Sequence, residues 1–236
     1  MPRRLTLSVR LRTASRWPFG VALTSWRYMW RTTPLHRSEA AGELPDDGPP
    51  PFPEGVAADE VQPPSAGAGP LFHRVYRARI REAELGPEKL VARITADLDQ
   101  VAPSEFARFN KVLGDEGAMA VGDEYVVRMP GPWDGPVRVI ERTPTAFRFA
   151  TLDGHLEAGQ IRFAAHDGEL LEFTIESWAR AGDRLSNLLY EHLRMSKEIQ
   201  LHMWTSMLEQ VAKLAGGRLT GGLEVRTRRV DDADAA

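Results

Sequence analysis

Residues 151–163, TLDGHLEAGQIRF, set an imidazole and a carboxylate two positions apart, His155 and Glu157, in a run that otherwise alternates like a β-strand. On a strand, positions two apart share a face, so the two side chains point to the same side of any sheet they join. A carboxylate drawn into an apolar face is pushed toward the range where it works as a general base, and a neighbouring imidazole can share a substrate or water with it. His155, Glu157 and His192 have the residue types of a two-histidine, one-carboxylate metal site, but no spacing supports one and no metal or cofactor is expected. Ser177 with His155 and Glu157 has the composition of an acyl-transfer triad without a nucleophile elbow around the serine. Each residue also has a plain structural reading. His155 follows a turn, Glu157 can pair with an arginine, Ser177 can satisfy a backbone group, and His192 can be a hydrogen-bonded core histidine.

The elements that must position these groups follow from periodicity. Strands are expected at 72–80, 123–129, 137–142, 146–152, 155–165 and 169–180, with Asp153-Gly154 and Asp167-Gly168 as hairpin turns. A helix is expected over 87–100, opened by Pro87 and carrying Leu90, Ile94 and Leu98 at helical spacing. A second short helix is expected from Pro103 and Ser104 to Gly114, with Phe106, Phe109, Val112 and Leu113 on its apolar side. A long helix from about Arg184 to Leu214 closes the unit. The order is strand, two short helices, a meander of strands and one long helix. An antiparallel sheet must cover its apolar face, and the long helix is the element that can do so. The fold class is therefore α+β: a helix-grip fold, with a curved antiparallel sheet of about six or seven strands around the C-terminal helix.

Alternation assigns the inner face. Tyr125, Val127, Met129, Val137, Val139, Phe147, Phe149, Ile161, Phe163 and Phe173 face in, accompanied by His155, Glu157 and Ser177. On the long helix, His192, Ser196, Ile199, Met203 and Met207 form one stripe, with Thr205 and Glu209 opposite. The expected ligand set is Tyr125, Phe147, Phe149, His155, Glu157, Phe163, Phe173, Ser177, His192 and Ser196. An apolar cavity with a few convergent polar groups is the usual anatomy of a small-molecule site.

The chain has 236 residues, 42% of them hydrophobic, with a formal net charge of −3 and no cysteine. Thiolate chemistry and disulfides are excluded, nucleic acid is not expected as the partner, and a reducing cytoplasm fits. No stretch approaches the ~18 apolar residues of a membrane-spanning helix. Residues 1–37 hold eight arginines and no acid; residues 38–72 hold seven acids, no Lys or Arg, and eight of the 17 prolines. The first is read as an arm (1–37) and the second as an acidic linker (38–70), disordered or draped over the surface. A folded domain follows over 71–217 and a loose tail over 218–236. On a helix, Phe19, Ala22, Leu23, Trp26, Met29 and Trp30 would form a stripe suited either to a membrane surface, through residues 17–31, or to the protein's own body.

This order of elements resembles the START-like superfamily, which includes lipid-transfer domains, plant ligand-binding allergens and polyketide cyclases. The strings PGPWDGPVRV, FRFATLDGHLEAGQIRF, ESWAR and EIQLHMW look more narrowly like the uncharacterised DUF1990 family, over roughly residues 71–216. That resemblance implies a fold and no catalytic assignment. The expected function is binding of an apolar or amphipathic small molecule in the sheet–helix cavity, its polar end fixed by His155, Glu157 and His192. Two alternatives stand beside it. One is a cyclase-, dehydratase- or isomerase-type enzyme using Glu157 and His155 for proton transfer; the other is a peripheral membrane or scaffold protein acting through the arm. Oligomeric state is not legible.

Overall fold

The computed structural model describes residues 33–56, 60–103, 107–128, 134–182 and 195–231, with side chains in the last stretch from Gln200 onward. Nine strands form one sheet: β1 (Leu35–Ala41), β2 (Ala68–Arg81), β3 (Arg108–Leu113), β4 (Glu124–Arg128), β5 (Asp134–Thr143), β6 (Ala146–Thr151), β7 (Glu157–His166), β8 (Leu171–Ala181) and β9 (Arg218–Val230). Their order across the sheet is β1-β9-β2-β8-β7-β6-β5-β4-β3. All neighbours are antiparallel except β1 and β9, which run parallel. Among the described residues, two α-helices lie on its inner face: α1 (Pro87–Ala96) against β7, and α2 (Met195–Leu214) against β2, β8 and β9. This is the helix grip, with a wider sheet than the sequence pattern indicates.

The inner face is apolar where the helices cover it. Tyr76, Ala78 and Ile80 of β2, Phe147 and Phe149 of β6, Phe163 of β7, and Phe173 and Ile175 of β8 meet Leu90, Val91 and Ile94 of α1 and Met207, Leu208 and Val211 of α2 in one buried core. Burying each large side chain is worth about 1.5–3 kcal/mol, so this core is the main stabilising term. Thr205, expected on the exposed side of α2, is fully buried; its hydroxyl donates to the carbonyl oxygen of Leu201 at 2.6 Å, which removes the penalty of placing it there.

Four sequence expectations give way to long-range pairing. Residues 108–113, expected within a second helix, form β3 and pair with β4. The period of two carried by Phe109 and Lys111 wins over the helical spacing of the same segment, because the neighbouring strand supplies the backbone partners. The first helix stops at Ala96, since Asp97 is extended and its side chain accepts the Asp99 N–H, starting a 3-10 turn over Leu98–Gln100. Residues 218–230, expected as part of a loose tail, are β9, a strand between β1 and β2. Gly221 and Gly222, at φ +71° and +79°, form the bulge where the pairing shifts from Ala78–Leu223 to Arg79–Thr220. Finally, Leu35–Ala41 joins the sheet rather than staying in the arm or linker.

The acidic, proline-rich segment after β1 crosses the outer face. Gln160 donates to the Pro50 carbonyl at 2.7 Å, and Gln62 N–H donates to the Thr151 carbonyl at 2.7 Å. Phe52, Val56 and Val61 cover Ile140 and Ala150. The strap is pinned by His73, whose Nδ1 lies 2.8 Å from Asp47 and whose Nε2 lies 2.8 Å from Glu176, the ring stacking on Trp178 at 5.2 Å. Burial by itself lowers the pKa of His73, but the hydrogen bonds to Glu176 and then Asp47 outweigh it, and the net direction is upward.

Two outcomes follow from this architecture. A chain ending at Gly217 loses the strand that joins β1 to β2, together with the inward side chains Leu223 and Val225, and is expected to lack a cooperative thermal transition by circular dichroism; an unchanged melt would remove β9 from the folding unit. A histidine with a raised pKa in the folded state contributes stability that is complete below its unfolded value of about 6.5 and is lost as pH rises through the folded value. The denaturation midpoint is therefore expected to fall as pH rises above neutrality, and His73→Gln to flatten that slope.

Candidate functional site

The register of four adjacent strands places a polar group at one end of the inner face. Ile161 of β7, Ser177 of β8, Arg74 of β2 and Thr227 of β9 lie in one cross-strand row, and Gly159, Ala179 and Phe72 in the next. Arg74 has the same parity as Tyr76, Ala78 and Ile80, so it points inward. Its side chain is 7% exposed and its Nη1 lies 3.9 Å from Oε1 of Glu157, which is 16% exposed. The guanidinium carbon stands 4.6 Å from the centre of the Phe72 ring. Glu157 thus faces inward as its period requires, and its charge partner is Arg74. Sequence reading missed Arg74, although the alternation of FHRVYRARI carried the signal.

His155 is placed differently. β7 begins at Glu157, and His155 belongs to the hairpin turn. Its Nδ1 lies 2.9 Å from the Glu157 amide nitrogen and 3.0 Å from that residue's carbonyl oxygen. Burial lowers the pKa of His155, with the charge of Glu157 acting in the opposite direction. The neutral ring therefore accepts the Glu157 N–H and closes its own hairpin. Its Nε2 side rests against Gly135, where a Cβ would sit 3.0 Å away. His155 and Glu157 share a neighbourhood, but the imidazole nitrogen nearer Glu157 is used structurally.

The other predicted residues separate into four groups. Phe147, Phe149, Phe163 and Phe173 lie within the packed core, with Phe147 and Phe163 stacked at 4.7 Å and Phe163 edge-on to Trp204 of α2 at 5.6 Å. Ser177 is half-buried in the row with Arg74. His192 lies outside the described residues, as do Met129, Trp133 and residues 17–31 of the arm; Ser196 is on α2, with its side chain outside them.

Tyr125 borders open space. A half-open cleft of about 390 Å³ lies between the end of α1 with its following 3-10 turn and the β3–β4 edge, lined by Thr95, Leu98, Phe109, Lys111, Leu113 and Tyr125 among others. Phe109 stacks on Phe149 at 6.4 Å and Tyr125 meets the same ring edge-on at 5.8 Å, so the cleft floor continues into the aromatic core. Lys111, also missed because its segment was expected to be helical, holds the rim together. Its Nζ pairs with Asp123 at 2.7 Å and donates to the carbonyl oxygens of Asp115 at 2.9 Å and Gly117 at 3.4 Å. The hydrogen bond to Asp123 raises the Lys111 pKa, and burial raises that of Tyr125. An amine held charged and a phenol held neutral make a binding surface, not a nucleophile. Among the described residues, no three His, Asp or Glu side chains are placed to hold a metal ion.

The Arg74–Glu157 pair makes a direct test of the inward polar row. Removing one partner of a buried pair leaves an uncompensated charge, worth about 3–5 kcal/mol in comparable cases. Arg74→Met is expected to lose about 3 kcal/mol or more by urea denaturation, and the double variant Arg74→Met, Glu157→Gln to recover part of it. A single variant indistinguishable from the parent would mean that the pair is effectively solvated.

Comparison with known proteins completes the description. No curated protein matches the chain. Among solved structures it is similar to protein Ms6760 from Mycobacterium smegmatis (17% identity, TM-score 0.41, covering 60% of this chain and 89% of that one). It is also similar to norcoclaurine synthase from Thalictrum flavum in complex with dopamine and hydroxybenzaldehyde (11%, 0.44, 70% and 95%), and to major latex-like protein 151 from Panax ginseng (11%, 0.40, 58% and 96%). No activity is carried over at such identities. Residues 58–210, more than half of the chain, match the family model described as a domain of unknown function, DUF1990, and the chain belongs to that family.

Proposed function

We propose that the protein binds an apolar or amphipathic small molecule on the inner side of its sheet, entering at the cleft between α1 and the β3–β4 edge. The observation that carries this reading is the cleft itself. Its volume of about 390 Å³ lies within the range of small-molecule sites, and its floor of Phe109 and Tyr125 is aromatic with one hydroxyl. Val112 and Leu113 on its rim are 59% and 55% exposed, leaving an apolar margin on a surface strand. Arg74 and Glu157 form a second polar point on the same face of the sheet. The proton-transfer alternative has less support, because His155 Nδ1 accepts the N–H of Glu157 and so closes the hairpin instead of meeting the Glu157 carboxylate.

A bicyclic aromatic alcohol matches the cleft in size and polarity. Titration of the full chain with 1-naphthol, followed by fluorescence, is expected to saturate with a dissociation constant on the order of 10–100 µM. Phe109→Ala is expected to weaken it several-fold. Native mass spectrometry of the purified protein, with organic extraction, then asks whether a small molecule accompanies it from the cell. Linear, non-saturating fluorescence together with an empty extract would overturn the reading.

A further inference from the structure

We infer that the ligand of this cleft is an organic cation: an apolar, preferably aromatic, body bearing a protonated amine. The inference rests on the binding role proposed above and adds the sign of the ligand's charge. The space and the aromatic floor make the site, and the charges around it select what enters. Asp97, Asp115 and Glu116 contribute to the lining. Asp99 stands next to Asp97, its carboxylate accepting the Phe109 N–H at 2.9 Å and so tying the 3-10 turn to β3. Two cations are also close. Lys111 is already matched by Asp123 at 2.7 Å, and Arg142 donates through Nη2 to the Thr95 hydroxyl at 3.0 Å. The carboxylates outnumber them, so the field in the cleft is negative.

Two further features favour a cation over a neutral guest. The face of Phe109 is electron-rich and attracts a cation placed over it, whereas the Tyr125 ring already carries Lys111, whose Nζ stands 5.7 Å from its centre. The donors that would greet an anion are already committed, since Lys111 Nζ is shared among Asp123 and the carbonyls of Asp115 and Gly117. An anionic guest would meet carboxylates with no free lysine to offset them, whereas an ammonium could sit between the rim carboxylates with its hydrocarbon on the floor. Because the carboxylates are near solvent, the selectivity is modest and sensitive to salt.

The test keeps the body constant and changes the charge. The full chain is titrated with 1-naphthylmethylamine, 1-naphthalenemethanol and 1-naphthoate at low ionic strength. The amine is expected to bind about tenfold more tightly than the alcohol and more tightly still than the carboxylate. Adding 0.5 M sodium chloride should shrink the amine's advantage to about threefold or less while leaving the alcohol unchanged. Asp97→Asn, Asp115→Asn, Glu116→Gln, which retains hydrogen-bonding oxygens, should bring the amine and the alcohol to equal affinity, with an unaltered melt showing that the fold is intact. Alcohol or carboxylate binding as tightly as the amine overturns the charge assignment while leaving the cleft a binding site. No saturable binding by any of the three overturns the binding role itself.

Discussion

The strictest constraint on this molecule is the alternation of one strand. β2 runs for 14 residues between β9 and β8, and each of its positions must choose a face. Tyr76, Ala78 and Ile80 choose the core, which sends Arg74 inward with them and sends His73 outward. Two consecutive basic residues therefore take opposite tasks: His73 pins the strap by hydrogen bonds to Asp47 and Glu176, and Arg74 sits beside Glu157 on the inner face. A register slip of one residue would exchange their faces, putting the His73 imidazole opposite Ser177 and Arg74 opposite Glu176, and would expose the apolar side chains below. The polar placements depend on the same register as the core, so they cannot drift independently of it.

The two histidines show how differently one residue type is used. His73 is flanked by two carboxylates that favour its charged form, and it gains from being an ion. His155 is half-buried beside Gly135 and closes a hairpin with a nitrogen lone pair, which favours the neutral ring. Their pKa values move in opposite directions for those reasons. His73 uses both ring nitrogens on carboxylates, so proton transfer there would require the strap to open, whereas His155 uses Nδ1 in its hairpin and presents Nε2 toward Gly135.

Much of the fold was legible because it is written in short-range signals. The Asp-Gly turns, the alternation from Tyr125 to Ala179 and the helical spacing around Leu90 and Ile94 each name an element on their own. Elements that depend on a distant partner were not legible. ARFNKVL supports either period until β4 is beside it, and GGLEVRTRRV reads as a glycine-containing tail until β2 and β1 flank it. The site followed the same division. The inward position of Glu157 and the cleft-side position of Tyr125 came from local alternation. Arg74 is hidden because a basic residue between His73 and Val75 reads as solvent-facing until β8 and β9 flank its strand, and Lys111 because its segment reads equally as a helix. His155 was misplaced by two residues of turn, where the period of two does not yet apply.

The cleft's position has a geometric cause. Nine strands about 4.8 Å apart span roughly 38 Å, whereas the two described helices, each about 10 Å wide, cover little more than half of that. The described helices lie over β2, β8 and β9 on one side and β7 on the other, so among the described residues the β3–β4 margin is flanked by the end of α1, the 3-10 turn and the 114–117 loop. A margin left open on an apolar face would ordinarily collapse or attract another chain. Here Lys111 prevents collapse by holding the loop carbonyls of Asp115 and Gly117 against Asp123, and the bulge between Lys111 and Leu113 interrupts a continuous edge. The outcome is a lined opening onto an aromatic row that runs from Phe109 through Phe149 and Phe163 to Trp204 on α2. A guest seated there would press on side chains that lead directly to the long helix, so occupancy of the cleft and the packing of α2 share one set of rings.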